Sequence, residues 1–371
     1  MSVPLLNLQA QFAAIREAVL PALLGVVERQ QFIMGPEVGL LETAVAALCQ
    51  AEHAVACASG TDALLIPLRL LDLQPGDEVI SPAFTFFATA GAIHNAGGTP
   101  VFVDIEAGSF NLDPAAVEEA ITPRTRAIVV VHLYGQMAAM ERILAIAVRH
   151  GLVVIEDGAQ AVGARQMIDG AWRAACSLGA VGTLSFFPTK NLGGWGDGGM
   201  MVTSDAQLAG RLKAHRLHGG TREYHHDEVG LNSRLDTLQA AVLLAKLPFL
   251  AGWSEARRSR AGRYTEALAQ FAGITPPPTD PANEHIWHQY TIRAERRDAL
   301  ATHLKARGIG HKVYYPLALH LQPCFSHLGY ARGRLPVTEA ASDAVLSLPI
   351  YPELTDSQQD EVIRVIRTFY L

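Results

Sequence analysis

A single lysine, Lys190, separates an apolar run from a glycine-rich segment in LSFFPTKNLGGWGDGGMM (184–201). The run at 181–187 is typical of a buried strand, and Pro188 is expected to end it. Five glycines between positions 193 and 199 predict an irregular loop, which places Lys190 on a turn. Burial beside a strand favours the uncharged amine, so Lys190 is a candidate Schiff-base nucleophile. Most lysines on turns are solvated charges, so this interpretation needs support from the rest of the chain.

The glycines after Lys190 have a second possible meaning. Gly194, Gly196 and Gly199 match the spacing of a dinucleotide-binding loop, which would indicate an oxidoreductase. Such a loop must open a helix. Because MMVTS follows Gly199 and predicts a strand, we reject the dinucleotide interpretation.

A candidate phosphate site follows the predicted strand HAVACA. Ser59, Gly60 and Thr61 stand there at the start of a predicted helix. The free N–H groups and the dipole of a helix start attract anions, and the Thr61 hydroxyl adds a donor. The alternative is ordinary helix capping by Ser59 or Thr61.

A carboxylate and an amide follow the predicted strand VVIE. Asp157 comes directly after it, and Gln160 lies three residues later. A buried carboxylate at a strand end could keep a pyridinium nitrogen protonated, while Gln160 could reach an oxygen on the same ring. A turn or helix cap is again the alternative.

Aromatic side chains follow the predicted strand DEVISP, at Phe84, Phe86 and Phe87. One of them could stack on a flat cofactor, although phenylalanines are more often part of a core. Taken together, the chain offers a phosphate site, a stacking ring, a carboxylate for a ring nitrogen and a lysine. That set is what pyridoxal phosphate requires.

These residues depend on an alternation of β-rich and helical runs. The β-rich runs are HAVACAS, DEVISP, TPVFVDI, TRAIVVVHL and LVVIED. They predict an α/β fold with a mostly parallel central sheet flanked by helices, whose ligands bind at the carboxyl ends of the strands. Beyond residue 205 the chain is mostly helical, with one long helical pattern at 235–271. We predict a large domain at 1–250 and a smaller α+β domain at 251–371.

The composition indicates a soluble globular protein. Hydrophobic residues make up 49% and charged residues 18%, and a net charge of -6 gives no reason to expect nucleic acid or an anionic membrane as partner. The four cysteines lack CxxC spacing, and the N-terminus lacks a basic segment followed by a long apolar one. We therefore expect a cytoplasmic protein, and we expect no apolar segment near the ~18 residues needed to span a bilayer.

The chain resembles the DegT/DnrJ/EryC1/StrS family of sugar aminotransferases, which have the fold of the aspartate aminotransferase group (fold type I). The stretches that carry the resemblance run in family order from residue 32 to beyond residue 350: FIMGPEVGLLE, ASGTDALL, GDEVISPAFTFFATA, VVHLYGQ, VIEDGAQAVGA, SFFPTKNLGGWGDGGM, YHHDEVGLNSRLDTLQAAVL and LSLPIYPELT. Because lysine is present at 190, the branch of the family that replaces it with histidine and performs dehydration is not expected.

The resemblance implies pyridoxal 5′-phosphate as cofactor, with pyridoxamine phosphate as the intermediate form. Lys190 would form the Schiff base and later move the proton, Asp157 would pair with the ring nitrogen, and Gln160 would bond the phenolic oxygen. The other implied cofactor ligands are Gly60, Thr61, Phe86, Ser185 and, from a second subunit, Asn232. The alternative for Asn232 is an N-cap of the long helix, a role compatible with the first.

Tyr224, His225 and His226 suggest two interpretations. A metal site would need a third ligand at suitable spacing, which the sequence does not provide, so we expect no metal. The resemblance instead implies that the segment lies near the sugar nucleotide, as a substrate loop.

Three further residues are candidates on the substrate side. Arg234 could face a substrate anion or solvent, and both possibilities stay open. Many relatives carry histidine at the position of Tyr314, so this residue departs from the family pattern. With Tyr315 it would form a neutral wall suited to a methyl group on the sugar.

The resulting hypothesis is transamination of a nucleotide-linked keto-hexose at C3, on a dTDP-3-keto-6-deoxyhexose with glutamate as donor. The alternative substrate is a UDP-2-acetamido-3-keto-hexuronate, for which Arg234, Arg222, His225 or His226 could supply a cation. An alternative of another class is a regulator that binds the cofactor, which would need a DNA-binding module that the sequence does not suggest. We expect a homodimer with shared active sites.

Overall fold

The computed structural model describes residues 2–278 and 280–370. Helical segments account for most of the length before, between and after the strands. The α-helices are α1 (Leu8–Arg29), α2 (Pro36–Leu48), α3 (Gly60–Arg69), α4 (Phe87–Asn95), α5 (Pro114–Ala120), α6 (Met140–His150), α7 (Ala206–His215), α8 (Thr237–Lys246), α9 (Leu250–Leu268), α10 (Arg297–Ala306), α11 (Pro336–Ala344) and α12 (Asp356–Tyr370).

The strands are short, as apolar runs bounded by turn residues predict. They are β1 (His53–Cys57), β2 (Glu78–Pro82), β3 (Thr99–Val103), β4 (Thr125–Val131), β5 (Val153–Asp157), β6 (Arg165–Ile168), β7 (Ala171–Ala174), β8 (Val181–Ser185), β9 (Gly199–Thr203), β10 (Gly220–Arg222), β11 (His225–His226), β12 (Ile274–Thr275), β13 (Asn283–Glu284), β14 (Tyr290–Ala294) and β15 (Val345–Leu348).

A seven-stranded sheet in the order β1-β9-β8-β5-β4-β2-β3 forms the centre of the molecule. Its neighbouring strands are parallel except at β9, which runs against both β8 and β1. Helices pack on it and bury the strands, which explains their nearly continuous apolar sequences. The predicted fold class, a mostly parallel sheet flanked by helices, is confirmed.

The strand directions bring several candidate residues to one edge of this sheet. β5 ends at Asp157 and β8 ends at Ser185, and the two strands are hydrogen-bonded parallel neighbours. The reversed strand β9 begins at the same edge, where Gly199 is paired with both Ser185 and Cys57. The loop that contains Lys190 therefore leaves the sheet and returns to it at one edge.

The C-terminal part has its own sheet and core. Strands β12, β14 and β15 form an antiparallel sheet, and their side chains pack with α9, α10 and α12. Contacts cross the domain boundary predicted near residue 250: for example, Val3 packs in this C-terminal core, and β13 pairs with β6. The boundary itself stays a prediction.

The long helix predicted at 235–271 was wrong as a single element. α8 ends at Lys246, a 3-10 turn spans Leu247–Phe249, and α9 starts at Leu250. Pro248 lies in that turn and cannot donate an N–H to a continuous helix.

The expectation that no segment approaches the length of a membrane span was also wrong. Helix α1 is 22 residues long and apolar enough to cross a bilayer by length and composition, and only 22% of its most apolar window is buried. It packs against α8 and keeps Leu24 and Val27 largely exposed. A single helix of this kind does not establish a membrane span, because signal sequences and core helices of soluble proteins meet the same criteria.

Candidate active site

The turn that carries Lys190 is held from several sides. The Lys190 N–H donates to the Phe187 carbonyl (2.9 Å), and a Cβ added to Gly193 would lie 2.4 Å from the Pro188 carbonyl oxygen. Only glycine fits there, so the loop closes directly behind the lysine. Helix α8 secures the loop through Gln239, which accepts from the Trp195 N–H (2.7 Å).

The Lys190 amine has unusual surroundings for a lysine. The residue is partly accessible, yet its amino group lies among enough protein atoms that desolvation lowers its pKa to about 8, while the Asp157 charge opposes the shift. Within residues 2–278 and 280–370 the amine has no hydrogen-bond partner and no ion pair within 4.0 Å. A desolvated amine without a partner can react with a carbonyl group or accept a proton.

Asp157 is buried at the end of β5, with 5% of its surface exposed. Its Oδ2 accepts from the Thr89 hydroxyl (2.8 Å) and its Oδ1 from the Ala159 N–H (3.2 Å). Burial raises the pKa of the carboxyl group, and these two donors, with the Lys190 charge, act against that rise. The Ala159 contact resembles a turn cap, but the Thr89 contact comes from a distant helix.

Glu156, the residue before Asp157, has a different role because successive strand side chains point to opposite faces. It is fully buried, bonds to His132 Nε2 (2.8 Å), and accepts the N–H groups of Cys176, Leu178 and Gly179. These bonds join a loop to β5 on the side away from Lys190. Glu156 thus serves the fold.

The start of α3 forms a tight cradle with the end of β8. A Cβ added to Gly60 would lie 2.6 Å from the Ser185 Cβ and 2.8 Å from its Oγ. Ser59 is the N-cap, since its Oγ accepts from the Asp62 N–H (3.1 Å), which confirms capping by Ser59. Among the described residues the N–H groups of Gly60 and Thr61 have no acceptor, so both remain available for an anion. We call Gly60, Asp157, Ser185 and Lys190 the strand-end cluster.

The aromatic residues after β2 separate into core and surface. Phe84 is buried, whereas Phe86 is 59% exposed and Phe87 stacks on Phe325 (5.7 Å between ring centroids). Of the three candidates, Phe86 is the one with a free face at the carboxyl end of β2 and no stacking partner among the described residues.

Gln160 lies beside one substrate-side tyrosine. Its Oε1 accepts from the Tyr134 N–H (2.7 Å) and its Nε2 donates to the Tyr315 hydroxyl (3.1 Å). The Tyr315 ring also lies 6.3 Å from the Phe86 ring. The Tyr134 hydroxyl donates a hydrogen bond to the Tyr314 carbonyl. The structure therefore brings Gln160, Phe86 and the two tyrosines together.

Sequence reasoning missed contacts that support the strand-end cluster. Thr89 lies three residues after Phe86 in FTFFATA; helical periodicity could place it on the inner face of α4 but gives no signal for Asp157 as its partner. His288 is buried and its Nδ1 bonds to the Asn191 amide oxygen (3.0 Å). Desolvation, reinforced by the Lys190 charge, lowers the pKa of His288. The spacing between His288 and Asn191 gives no sequence signal for this contact.

The remaining candidates lie elsewhere, in residues 220–234, which we call the open segment. Tyr224, His225 and His226 are exposed on the β10–β11 hairpin, and Tyr224 is 88% exposed. The structure shows no contact of these three residues with the strand-end cluster. Across 2–278 and 280–370 no group of three potential metal ligands occurs.

Asn232 is not the N-cap of a helix, contrary to the alternative interpretation. α8 starts at Thr237 with Asp236 as its N-cap, and Asn232 forms a bridge with Leu217. The neighbouring Ser233 is buried and donates to Asp62 Oδ2 (2.6 Å) at the start of α3.

Because side chains alternate along an extended segment, Asn232 and Arg234 point away from the helix start that Ser233 contacts. Asn232 is exposed, and Arg234 has no ion pair or hydrogen bond among the described residues.

The strand-end cluster fits pyridoxal phosphate. The amine of Lys190 is unpartnered, the start of α3 offers two free N–H groups, and the glycine at 60 leaves room for nothing larger than a hydrogen beside Ser185. The buried Asp157 carboxylate is a suitable partner for a protonated ring nitrogen.

Known proteins are similar to this chain over nearly its whole length. The Pleiotropic regulatory protein of Geobacillus stearothermophilus is 50% identical over 375 residues, with 100% of this chain and 99% of that protein covered. The UDP-N-acetyl-3-dehydro-alpha-D-glucosamine 3-aminotransferase of Acidithiobacillus ferrooxidans is 46% identical (99% and 97% covered). The dTDP-3-amino-3,4,6-trideoxy-alpha-D-glucose transaminase of Streptomyces venezuelae is 43% identical (98% and 95% covered).

Solved structures agree with the sequence relatives. Streptomyces venezuelae DesV in complex with a ketimine intermediate superposes with a TM-score of 0.96 at 43% identity, covering 100% of this chain and 98% of that one. NtdA from Bacillus subtilis with bound pyridoxamine phosphate gives 0.91 at 34% identity, covering 99% and 85%. A family profile matches residues 13–367. The chain therefore belongs to the DegT/DnrJ/EryC1/StrS aminotransferase family and is a pyridoxal-phosphate-dependent sugar aminotransferase.

Proposed function

We propose that the protein aminates the C3 keto group of a nucleotide-linked hexose, and that Lys190 and Asp157 carry the chemistry. The observation that supports this most is the Lys190 amine, which is desolvated and has no partner among the described residues. It lies in the loop that follows β8, next to the strand that ends at Asp157. With a pKa of about 8, a useful fraction of this amine is neutral at physiological pH.

Each remaining residue of the site has a proposed binding role. Asp157, whose ionised form its two donors favour, holds the proton on the ring nitrogen, and Gln160 donates to the ring oxygen. The phosphate is bound by Gly60, Thr61 and Ser185, joined by Asn232 of a second subunit. Phe86 covers one face of the ring. Pyridoxal phosphate, when bound, withdraws electrons from the substrate carbon that carries the amino group.

Lys190 then acts as acid and base. Its Nζ accepts the proton from the substrate carbon of the donor, and it delivers a proton to the sugar carbon in the second half-reaction. We propose glutamate as the donor, with 2-oxoglutarate leaving before the keto sugar binds. One amine thus serves both half-reactions.

The position of the keto group is inferred from the relatives. The names of the relatives from Acidithiobacillus ferrooxidans and Streptomyces venezuelae both place the amino group at C3 of the sugar, although their nucleotides differ. Both cover nearly the whole chain. We therefore propose C3 for this chain as well.

The C6 substituent of the sugar is inferred from the tyrosines. Tyr315 packs near Phe84 (6.0 Å) and Phe86 (6.3 Å), so this side of the site is lined by aromatic rings. A buried carboxylate there would need a cation. We propose a 6-deoxy sugar on dTDP. A uronate on UDP is the second candidate, because Arg234 has no protein partner among the described residues and could supply that cation.

We further propose that the protein is a cytoplasmic homodimer. Helix α1 keeps Leu8, Leu24 and Val27 exposed, and the half-exposed Trp195 packs beside it on Phe12. Covering α1 with a second subunit accounts for an apolar helix without a membrane. In the same dimer, Asn232, which points away from α3 of its own chain, would contact the phosphate site of the other subunit.

The decisive experiment uses the protein in its pyridoxamine form. It is mixed with a dTDP-3-keto-6-deoxyhexose, a UDP-2-acetamido-3-keto-hexuronate and the UDP-linked 3-keto-N-acetylglucosamine, and the return of the aldehyde form is followed by absorbance. We expect the deoxy sugar to react fastest. Reaction with the uronate alone, abolished by Arg234→Ala, would contradict the deoxyhexose proposal.

A regulatory role is the second candidate function, favoured by the name of the 50% identical Geobacillus stearothermophilus relative. It predicts a protein that binds the cofactor and turns over no keto sugar. The same panel of substrates therefore separates the two candidates.

A further inference from the structure

We propose that Thr89 is a positioning residue that holds Asp157 ionised and oriented for the pyridine nitrogen of the cofactor. The inference rests on the proposed role of Asp157 and extends it to a residue of another element. Thr89 lies in the first turn of α4, whereas Asp157 ends β5, 68 residues later in the chain.

The hydroxyl of Thr89 bonds to a residue far away in the sequence. Threonine in a helix commonly bonds to a backbone carbonyl in the preceding turn. The Thr89 hydroxyl instead donates to Asp157 Oδ2 at 2.8 Å, and both residues are buried. Capping of α4 therefore does not account for it.

The direction of the bond follows from the chemistry of the groups. An ionised carboxylate has no proton to give, so Thr89 must donate its single hydrogen to Asp157. The Thr89 oxygen then accepts from the buried Thr85 hydroxyl, 3.2 Å away. The chain Thr85 to Thr89 to Asp157 has one consistent polarity, and every donor points toward the carboxylate.

The second carboxylate oxygen has a fixed donor as well. Asp157 Oδ1 accepts from the Ala159 N–H at 3.2 Å, so each oxygen has one protein donor. Burial by itself favours the neutral acid, which would lose the ability to hold a proton on a ring nitrogen. The donor from Thr89 favours the ionised form and fixes the plane of the carboxylate.

The test compares two probes bound by the full-length apoprotein: pyridoxal phosphate, and an analogue in which C–H replaces the ring nitrogen. We expect wild-type protein to bind pyridoxal phosphate more tightly than the analogue. Thr89→Val keeps the shape and removes the donor, so it should reduce this preference by about 10- to 100-fold, the size of one hydrogen bond to an ionised group. Thr89→Ser should restore most of the preference.

A matched control is Thr203→Val, at another buried threonine, whose hydroxyl donates to the Ala180 carbonyl (2.8 Å) at the end of β9 away from Gly199. It should leave the preference between the probes unchanged, even if it lowers stability. If Thr89→Val weakens both probes equally, or keeps the wild-type preference, Thr89 is a structural residue and the proposal is wrong. If the wild-type protein itself shows no preference, the proposed role of Asp157 is wrong.

Discussion

The strand-end cluster and the open segment differ in how much of their environment the chain itself supplies. Gly60, Asp157, Ser185 and Lys190 are packed by neighbouring strands, by α3 and by the glycine-rich loop. Tyr224, at the other extreme, is 88% exposed, and its neighbours on the hairpin are exposed as well.

Burial changes the pKa values of the ionisable groups in the strand-end cluster. Desolvation moves the pKa of Lys190 down and that of Asp157 up, which brings the two groups toward the same range. Tyr224, His225 and His226 instead lie on an exposed hairpin. The cluster can thus be understood within one chain, whereas the open segment needs a substrate or a second subunit to acquire a role.

The largest effect is expected from Lys190→Ala, which removes the amine on which the cluster depends. Turnover should fall by at least ~10⁴-fold, since acid–base catalysis and covalent attachment are lost together. Cofactor should still bind through the phosphate and ring contacts. Borohydride reduction followed by peptide mapping should find the cofactor on Lys190 in wild-type protein.

Attachment at another lysine would contradict this assignment. Of the five lysines, Lys213, Lys305 and Lys312 are exposed and Lys246 is buried. Lys246→Met is the matched control, because it removes the other desolvated amine and should leave the adduct on Lys190 in place.

A smaller effect is expected from Asp157→Asn, which keeps the shape of the cluster and removes its negative charge. Without the carboxylate the ring nitrogen loses its proton, so turnover should fall by roughly 10²- to 10³-fold while substrate KM changes little. Steady-state kinetics with the keto sugar measure both constants. A loss confined to KM would mean that Asp157 serves binding and not the chemistry.

The open segment is tested by mixing two defective proteins. Asn232→Ala should weaken the cofactor phosphate site and reduce activity by about 10-fold, as expected for a lost charge-assisted hydrogen bond. If Asn232 serves the other subunit, a heterodimer with Lys190→Ala contains one intact site, and an equal mixture should recover about a quarter of wild-type activity. Activity equal to the mean of the two parents would instead place Asn232 in the site of its own chain.

The sequence predicts the two regions unequally, for a physical reason. The strand-end cluster follows from local rules: apolar runs predict strands, Pro188 and the glycines predict the turn, and parallel strands collect their carboxyl ends at one edge. Local rules therefore suffice to bring Asp157 and Lys190 to the same edge of the sheet. They do not reach Thr89 and His288, since the contacts of these residues join distant segments whose spacing has no periodicity.

Of the other errors, the one at Asn232 has a tertiary cause, whereas those at the long helix and at α1 have local causes. Position 232 is followed by a further extended stretch before α8, because Ser233 bonds to Asp62 and holds the chain against α3. The long helix at 235–271 failed at Pro248, a residue that local rules would have identified. The apolar character of α1 was likewise visible in the sequence, spread over a helix with polar residues in between.

The smallest effect on activity, and the sharpest contrast with Lys190, is expected at Lys246. This lysine is 2% exposed, and its Nζ donates to the Gly193 carbonyl (2.7 Å) in the loop after Lys190. Desolvation lowers its pKa to about 8 with no carboxylate to compensate. Lys246→Met should therefore leave turnover within ~10-fold of wild type, since it loosens the loop without touching the amine of Lys190.

The difference in unfolding free energy between Lys246→Met and the wild type should change sign with pH. Below pH 8 the lysine is charged in both states, and the folded protein bears a desolvation cost of up to about 3 kcal/mol for the shift from a pKa of about 10.4 in the unfolded chain. Methionine removes that cost and also the bond to Gly193, worth about 1–2 kcal/mol, so the variant should be more stable at pH 7. As pH rises through 8 toward 10.4, the folded wild type releases the proton before the unfolded chain does and the desolvation cost disappears, while the variant still lacks the bond to Gly193. The wild type should then be the more stable protein.

Urea unfolding at pH 7 and near pH 10.4 measures this crossover, with exposed Lys213→Met as the control. A difference in unfolding free energy that stays constant with pH would mean that Lys246 carries no buried charge.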